Sequence, residues 1–246
     1  MENTHVSFIG LGRMGGAMAA NLLAAGVPLF VFDAREEAVE PLLVRGATIV
    51  SNPAKLADKV ELLFLCLPFT PEVDEVLFGK NGAATSGRSD LSVMDTTTMY
   101  CAEASRFQAR LTEVGVSYSD CPVSGMPFRA ENGTLTMMFG GNEGAFEHIR
   151  PYLDVMDEFI VSCGECGTGQ MMKAFNNVIY DINIAGVCKI LPMAIKAGLE
   201  PETLERVLTT ASARSFASEY FIPRLLDRRF DTDFAMENAY KDIIKI

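Results

Sequence analysis

Apolar positions in the first two thirds of this chain gather in short dense clusters, separated by segments of mixed polarity. Val6-Ser7-Phe8-Ile9 predicts a short buried strand. Strong helix formers follow from Ala17 to Ala25, and Gly26 ends them. Pro28-Leu29-Phe30-Val31-Phe32 predicts a second strand and Ala47-Thr48-Ile49-Val50 a third, with a short helix after it from Pro53 to Asp58. The stretch from Val60 to Leu67 (VELLFLCL) is apolar apart from Glu61, as in a parallel strand covered on both faces. A helix from Val73 to Phe78, a strand over Leu91-Ser92-Val93-Met94-Asp95, a helix over 102–113 and a strand over 116–119 continue the alternation.

Near Gly164 the pattern changes. Gly169 to Ala197 reads as one long helix, Pro201 opens another at its first position, a third covers 216–228 and a fourth starts near Thr232. No strand candidate follows residue 162. The expected architecture is α/β: a Rossmann-type doubly wound sheet over residues 1–162, followed by an all-helical domain over 163–246.

Between the first strand and the first helix stands Gly10-Leu11-Gly12-Arg13-Met14-Gly15. Gly10 allows the tight turn, Gly12 lets the backbone approach a pyrophosphate, and Gly15 lets helix and strand pack closely. The helix start offers backbone N–H groups and a positive dipole end to the phosphates. Asp33 closes the second strand 18 positions after Gly15, where a carboxylate accepts hydrogen bonds from the adenosine ribose. It would also repel a 2′-phosphate, which favours NAD, while Arg35 keeps NADP as an alternative. Leu67 and Pro68 end the long apolar strand and are expected beside the cofactor, because ligands of such sheets sit at carboxyl strand ends.

Composition narrows the function classes. A net charge of -11 excludes a nucleic-acid surface, which needs clustered Lys and Arg. No unbroken apolar run reaches the ~18 residues of a membrane span. The polar Met1 to His5 carries no basic region of a secretory signal, so a reducing cytoplasm is expected, with the six cysteines as thiols. Cys163-Gly-Glu-Cys166 lacks a second ligand pair, and neither His5 nor His148 lies at ligand spacing, so no metal site is expected.

Three later segments remain: Asp120 to Gly125 (DCPVSG), Gly167 to Asn177 (GTGQMMKAFNN) and Lys241-Asp242. Lys173 and Asn177 share a helix face among apolar neighbours. A buried Lys suits proton transfer, and a Lys snorkelling to the helix surface is the alternative that spacing alone leaves open.

Together with FIGLGRMGGAMAANLLAAG at the N-terminus, these motifs resemble the signatures of the β-hydroxyacid dehydrogenase family, in the same order and over nearly the whole chain. The resemblance implies that Lys173 is the general acid/base for hydride exchange between nicotinamide and a small β-hydroxy acid or semialdehyde. It implies that Ser124 and the Gly125 backbone hold the substrate, and that Asn177, with Asn176, orients it. Thr98 joins Leu67 and Pro68 in contacting the cofactor, and Lys241 approaches from the nicotinamide side. Met126 stands where the family often has Gly, and Arg129 beside it could serve an extra anionic group. The resemblance also implies further helices after Lys241-Asp242, so an incomplete helical domain with exposed apolar surface, and hence a homo-oligomer, is expected. The other readings are a non-catalytic dinucleotide-binding module and an imine-reducing relative, a group that usually places another residue at the position of Lys173.

Overall fold

The computed structural model describes residues 5–229. The chain divides into two compact units, Met1–Lys173 and Ala174–Ile246. Lys241 and the helix expected from Thr232 lie outside the described residues.

In the first unit, β1 (Val6–Ile9), α1 (Arg13–Ala24), β2 (Leu29–Phe32), α2 (Glu36–Leu43), β3 (Thr48–Ile49), α3 (Pro53–Ala57), β4 (Leu62–Leu65), α4 (Thr70–Phe78), β5 (Ser92–Asp95), α5 (Cys101–Thr112) and β6 (Ser117–Asp120) alternate along the chain. Their strands pair in the order β3-β2-β1-β4-β5-β6, all parallel. The direction of winding reverses between β1 and β4, which makes that edge the topological switch point. Side chains alternate across the sheet, so each strand feeds two cores. Phe8 and Phe64 are in register, stack at 5.7 Å and pack with Met18 and Leu22 of α1. Ile9, Leu63 and Leu65 face the other way, toward Phe107 and Leu111 of α5. Burial on both faces is why β4 itself is apolar at every position.

Beyond β6 the sheet continues through β7 (Val123–Ser124), α6 (Met126–Glu131), β8 (Leu135–Gly140), α7 (Glu143–Leu153) and β9 (Asp157–Gly164). β8 runs antiparallel to β6 and β7, and β9 runs parallel to β8. The apolar clustering did not resolve these three strands. β7 has two residues, and β9 is exposed or half-buried along its length, so neither carries a strong period.

α8 (Thr168–Lys196) starts in the first unit and runs into the second, which adds α9 (Pro201–Leu208) and α10 (Phe216–Leu226). Pro201 sits at the start of α9, and a reciprocal Ser215–Ser218 capping box opens α10. The small core of this unit is Leu191, Leu204 and Ile222. Along α8, Phe175, Ile179, Ile182, Ile190 and Met193 are all exposed. Their spacing places them on one stripe. By length and composition alone this helix could cross a bilayer, a property the search for unbroken apolar runs did not register.

Candidate active site

The glycine turn is shaped by what it excludes. Gly10 has φ +89°, and a Cβ there would overlap the Cys66 carbonyl oxygen. A Cβ on Gly15 would overlap the Gly10 carbonyl oxygen. Gly12 differs: its nearest neighbour would be an Arg35 guanidinium nitrogen at 3.9 Å, so the space above it is open. α1 begins at Arg13 with no side-chain cap and no acidic residue in its first turn. Arg13 is exposed, and Met14 packs against the core. Open space over Gly12 beside an uncapped helix start fits a dinucleotide pyrophosphate. Asp33 ties this turn together: its Oδ2 accepts from the Leu11 N–H at 2.7 Å, and its Oδ1 accepts from the Arg35 N–H at 2.9 Å. The Arg35 Nε lies 3.4 Å from the same Oδ1. The carboxylate therefore has a structural task besides the one expected at the ribose.

Leu67 and Pro68 follow β4, and Thr98 follows β5, at the same carboxyl edge of the sheet. Pro68 is exposed, while Leu67 and Thr98 are half-buried. The Leu67 N–H donates to Thr97 Oγ1 at 2.9 Å, linking the two strand ends. The structure thus brings Gly10 to Gly15, Asp33, Leu67, Pro68 and Thr98 together along the ends of β1, β2, β4 and β5.

Two carboxylates lie buried beneath this edge, Asp95 and Asp120, in register on β5 and β6. Asp95 accepts from the Thr97 N–H at 2.8 Å and from Tyr118 Oη at 2.9 Å. Burial pushes it up to about 6, and those two donors oppose the rise. A raised native value means the folded chain holds this proton more tightly than the unfolded chain. The resulting stability is complete below the unfolded value near 3.8 and is lost as pH rises through about 6. Asp95→Asn can keep the Thr97 bond while Tyr118 Oη accepts instead of donating. The variant is therefore expected to exceed the parent in urea-unfolding stability by about 1–3 kcal/mol at pH 8, with the difference shrinking toward pH 4. A constant difference across that range would refute the assignment.

Asp120 anchors the start of α8. Its Oδ1 accepts from the Gly167 N–H at 2.6 Å and its Oδ2 from the Gln170 N–H at 2.7 Å. Burial raises its pKa, and these N–H groups act against the rise. A Cβ on Gly169 would overlap the Met138 carbonyl oxygen and crowd Asp120, so glycine is what lets α8 approach β8. Three residues after Gln170, Lys173 is buried, at 8% exposure. Asn177 follows one turn later along α8 at 7% exposure, and Asn176 is exposed, its Nδ2 donating to Asn177 Oδ1 at 3.2 Å.

Ser124 ends β7 opposite Thr136 of β8. Gly125 has φ +145°, and Met126 has φ +65°, a left-handed conformation that disfavours a side chain. That geometry accounts for the glycine expected at this position. Arg129 pairs with Glu158 at 2.8 Å, so its charge is already balanced. Sequence reading passed over Asp120, Gln170 and Thr97 as individual residues. The first two lie inside the quoted motifs, Asp120 at the end of a strand and Gln170 directly after Gly167-Thr168-Gly169.

Residues 5–167 match the family model for the NAD-binding domain of 6-phosphogluconate dehydrogenase. Residues 167–245 match the one for NAD-binding of NADP-dependent 3-hydroxyisobutyrate dehydrogenase. The chain is 34% identical to 2-(hydroxymethyl)glutarate dehydrogenase of Eubacterium barkeri over 98% of its own length and 81% of the relative's. The chain belongs to the β-hydroxyacid dehydrogenase family. It is 35% identical to 2-hydroxy-3-oxopropionate reductase of Escherichia coli, covering 97% of this chain and 81% of that one. The 3-hydroxyisobutyrate dehydrogenase of Mycobacterium tuberculosis, solved with L-serine, superposes with a TM-score of 0.89 at 26% identity, covering 97% of this chain and 84% of that one. Membership of the β-hydroxyacid dehydrogenases makes the chain an NAD(P)-dependent oxidoreductase. In this family member the glycine turn and the ends of β2, β4 and β5 are the elements suited to hold the dinucleotide.

Proposed function

We propose that the chain interconverts a small β-hydroxy acid and the matching semialdehyde, with Lys173 as the proton-transfer group. The observation that carries this reading is a lysine buried at the start of α8, in the same unit as the glycine cradle. Bound NAD(P) supplies a hydride acceptor or donor at its nicotinamide ring. Lys173 Nζ takes the substrate hydroxyl proton during oxidation and returns it to the oxygen during reduction. Ser124 and the Gly125 N–H hold the substrate carboxylate. Asn177 orients the carbinol carbon, and Asn176 supports the Asn177 amide. Gly10, Leu11, Gly12, Arg13, Met14, Gly15, Asp33, Leu67, Pro68 and Thr98 would hold the dinucleotide. In this reading residues 1–162 bind the cofactor, while 163–246 serve substrate and subunit contacts.

The stripe on α8 supports homo-oligomerisation, because an exposed apolar row of this length favours a protein partner. Asn176, Asn177, Asp181, Asn183 and Lys189 on the same helix argue for a protein partner over lipid. We place the chain in a reducing cytoplasm, where its six cysteines would stay as thiols.

A panel of small hydroxy acids and semialdehydes, read at the reduced-nicotinamide absorbance band with NAD(H) and NADP(H), tests the reading. Turnover of at least one β-hydroxy acid, with NAD preferred, is the expected result. NADH binding without any turnover would instead favour a non-catalytic module. Asp33→Asn keeps an acceptor for the Leu11 N–H while removing the charge, so it should shift preference toward NADP by at least ~10-fold. Equal use of both cofactors by the unaltered chain would count against Asp33 as selector.

A further inference from the structure

Gln170 is buried, at 2% exposure, and its side chain reaches out of α8 to the loop after β5. Its Oε1 accepts from the Met99 N–H at 3.0 Å, and its Nε2 donates to the Thr97 carbonyl at 2.7 Å. Those two backbone groups flank Thr98. A donor on one side and an acceptor on the other leave a single amide orientation that satisfies both. Thr97 carries the connection further, through its hydroxyl to the Leu67 N–H and through its own N–H to Asp95. The Asp120 carboxylate secures the Gln170 N–H as well, so the first turn of α8 is bonded to the ends of both β5 and β6.

We infer that Gln170 is a positioning residue: by bracketing Thr98 it fixes the separation between the β5 loop and the helical turn that carries Lys173. This rests on the reading of Lys173 as proton-transfer group. Hydride and proton must move at adjacent atoms of one substrate, and a shift of about 1 Å between the groups that hold them can cost ~10²-fold in rate. A buried amide bonded at both ends is a stiff spacer, since releasing either bond leaves a buried backbone group unsatisfied.

Two substitutions in the full chain test it. Gln170→Met keeps the length and removes both bonds. Gln170→Glu keeps the acceptor for Met99, and its protonated form also restores a donor to Thr97. In nucleotide-free protein the Met99 amide is expected to be protected from hydrogen exchange, and Gln170→Met should lose that protection. Gln170→Met is expected to lower kcat ~10- to 100-fold and change NADH affinity less than about 3-fold. The deficit of Gln170→Glu should shrink from about pH 8 to about pH 5.5, as its carboxyl takes up a proton, and that of Gln170→Met should not. NADH should also slow amide exchange across residues 171–174 in the parent chain but not in Gln170→Met, a readout that needs no turnover. Lys173→Met is the reference: retained turnover there removes the Lys173 reading, whatever Gln170 does. The inference about Gln170 is overturned by a kcat for Gln170→Met within about 2-fold of the parent. Equal Met99 exchange in both proteins, or an equal NADH response across 171–174, overturns it too. If Gln170→Met does not fold, a pH-independent deficit in Gln170→Glu has the same consequence.

Discussion

Replacing Lys173 with alanine is expected to lower kcat at least ~10²-fold with NADH affinity nearly unchanged. The asymmetry follows from position. The elements proposed to hold the dinucleotide, the β1–α1 turn and the ends of β2, β4 and β5, are ordered by bonds among Leu11, Asp33, Leu67 and Thr97. The start of α8 is held by Asp120 and Gln170 through backbone and side-chain bonds that alanine at 173 leaves in place. Loss of the amine should therefore remove proton transfer and leave the helix docked. Steady-state turnover on the best substrate of the panel, beside a fluorescence titration with NADH, checks both halves. Full turnover in Lys173→Ala would dismiss the lysine from the mechanism.

Gly15→Ala is expected to weaken NADH binding ~10- to 100-fold, because a displaced turn loses hydrogen bonds to a charged group worth about 1.5–3 kcal/mol each. An added methyl at this position meets the Gly10 carbonyl oxygen, with Cys66 Cβ and a Phe8 ring carbon both at 3.0 Å. None of these is the end of a flexible side chain, so α1 or the turn itself has to move. Overpacking of this kind typically costs ~1–3 kcal/mol of stability. Gly12→Ala provides the contrast. Its methyl would enter open space, so the melting temperature should stay close to that of the parent while NADH affinity falls. Thermal unfolding and NADH titration of both variants decide the matter. If Gly12→Ala binds NADH as the parent does, no phosphate lies over that residue.

Much of the first unit was legible from residue pattern because its physics is local. β1 and β4 are mostly apolar segments buried along their whole length, and β5 carries a buried Val93-Met94 pair, as expected of strands in a covered sheet. The glycine turn was readable for a similar reason: strand, turn and helix are contiguous, so spacing alone places each glycine. α8 and α9 likewise lie close to the expected ranges, Pro201 marking the start of α9. The return of the chain through β7, β8 and β9 was not legible. Two-residue and half-exposed strands are stabilised by neighbours distant in sequence, and local propensity says little about them.

The same division runs through the site. Residue order marked the contiguous glycine turn and placed Lys173 and Asn177 one helical turn apart, while the role proposed for Lys173 came from the family resemblance. It could not tell a buried Lys173 from one reaching solvent, because burial depends on what packs over the helix. Nor could it show that Asp33 fastens the glycine turn, that Arg129 is paired with Glu158, or that Gln170 grips the backbone around Thr98. Each of these bonds joins groups that only the folded sheet and its packed helices bring within about 3 Å. A hydrogen bond of that reach leaves no trace in sequence spacing.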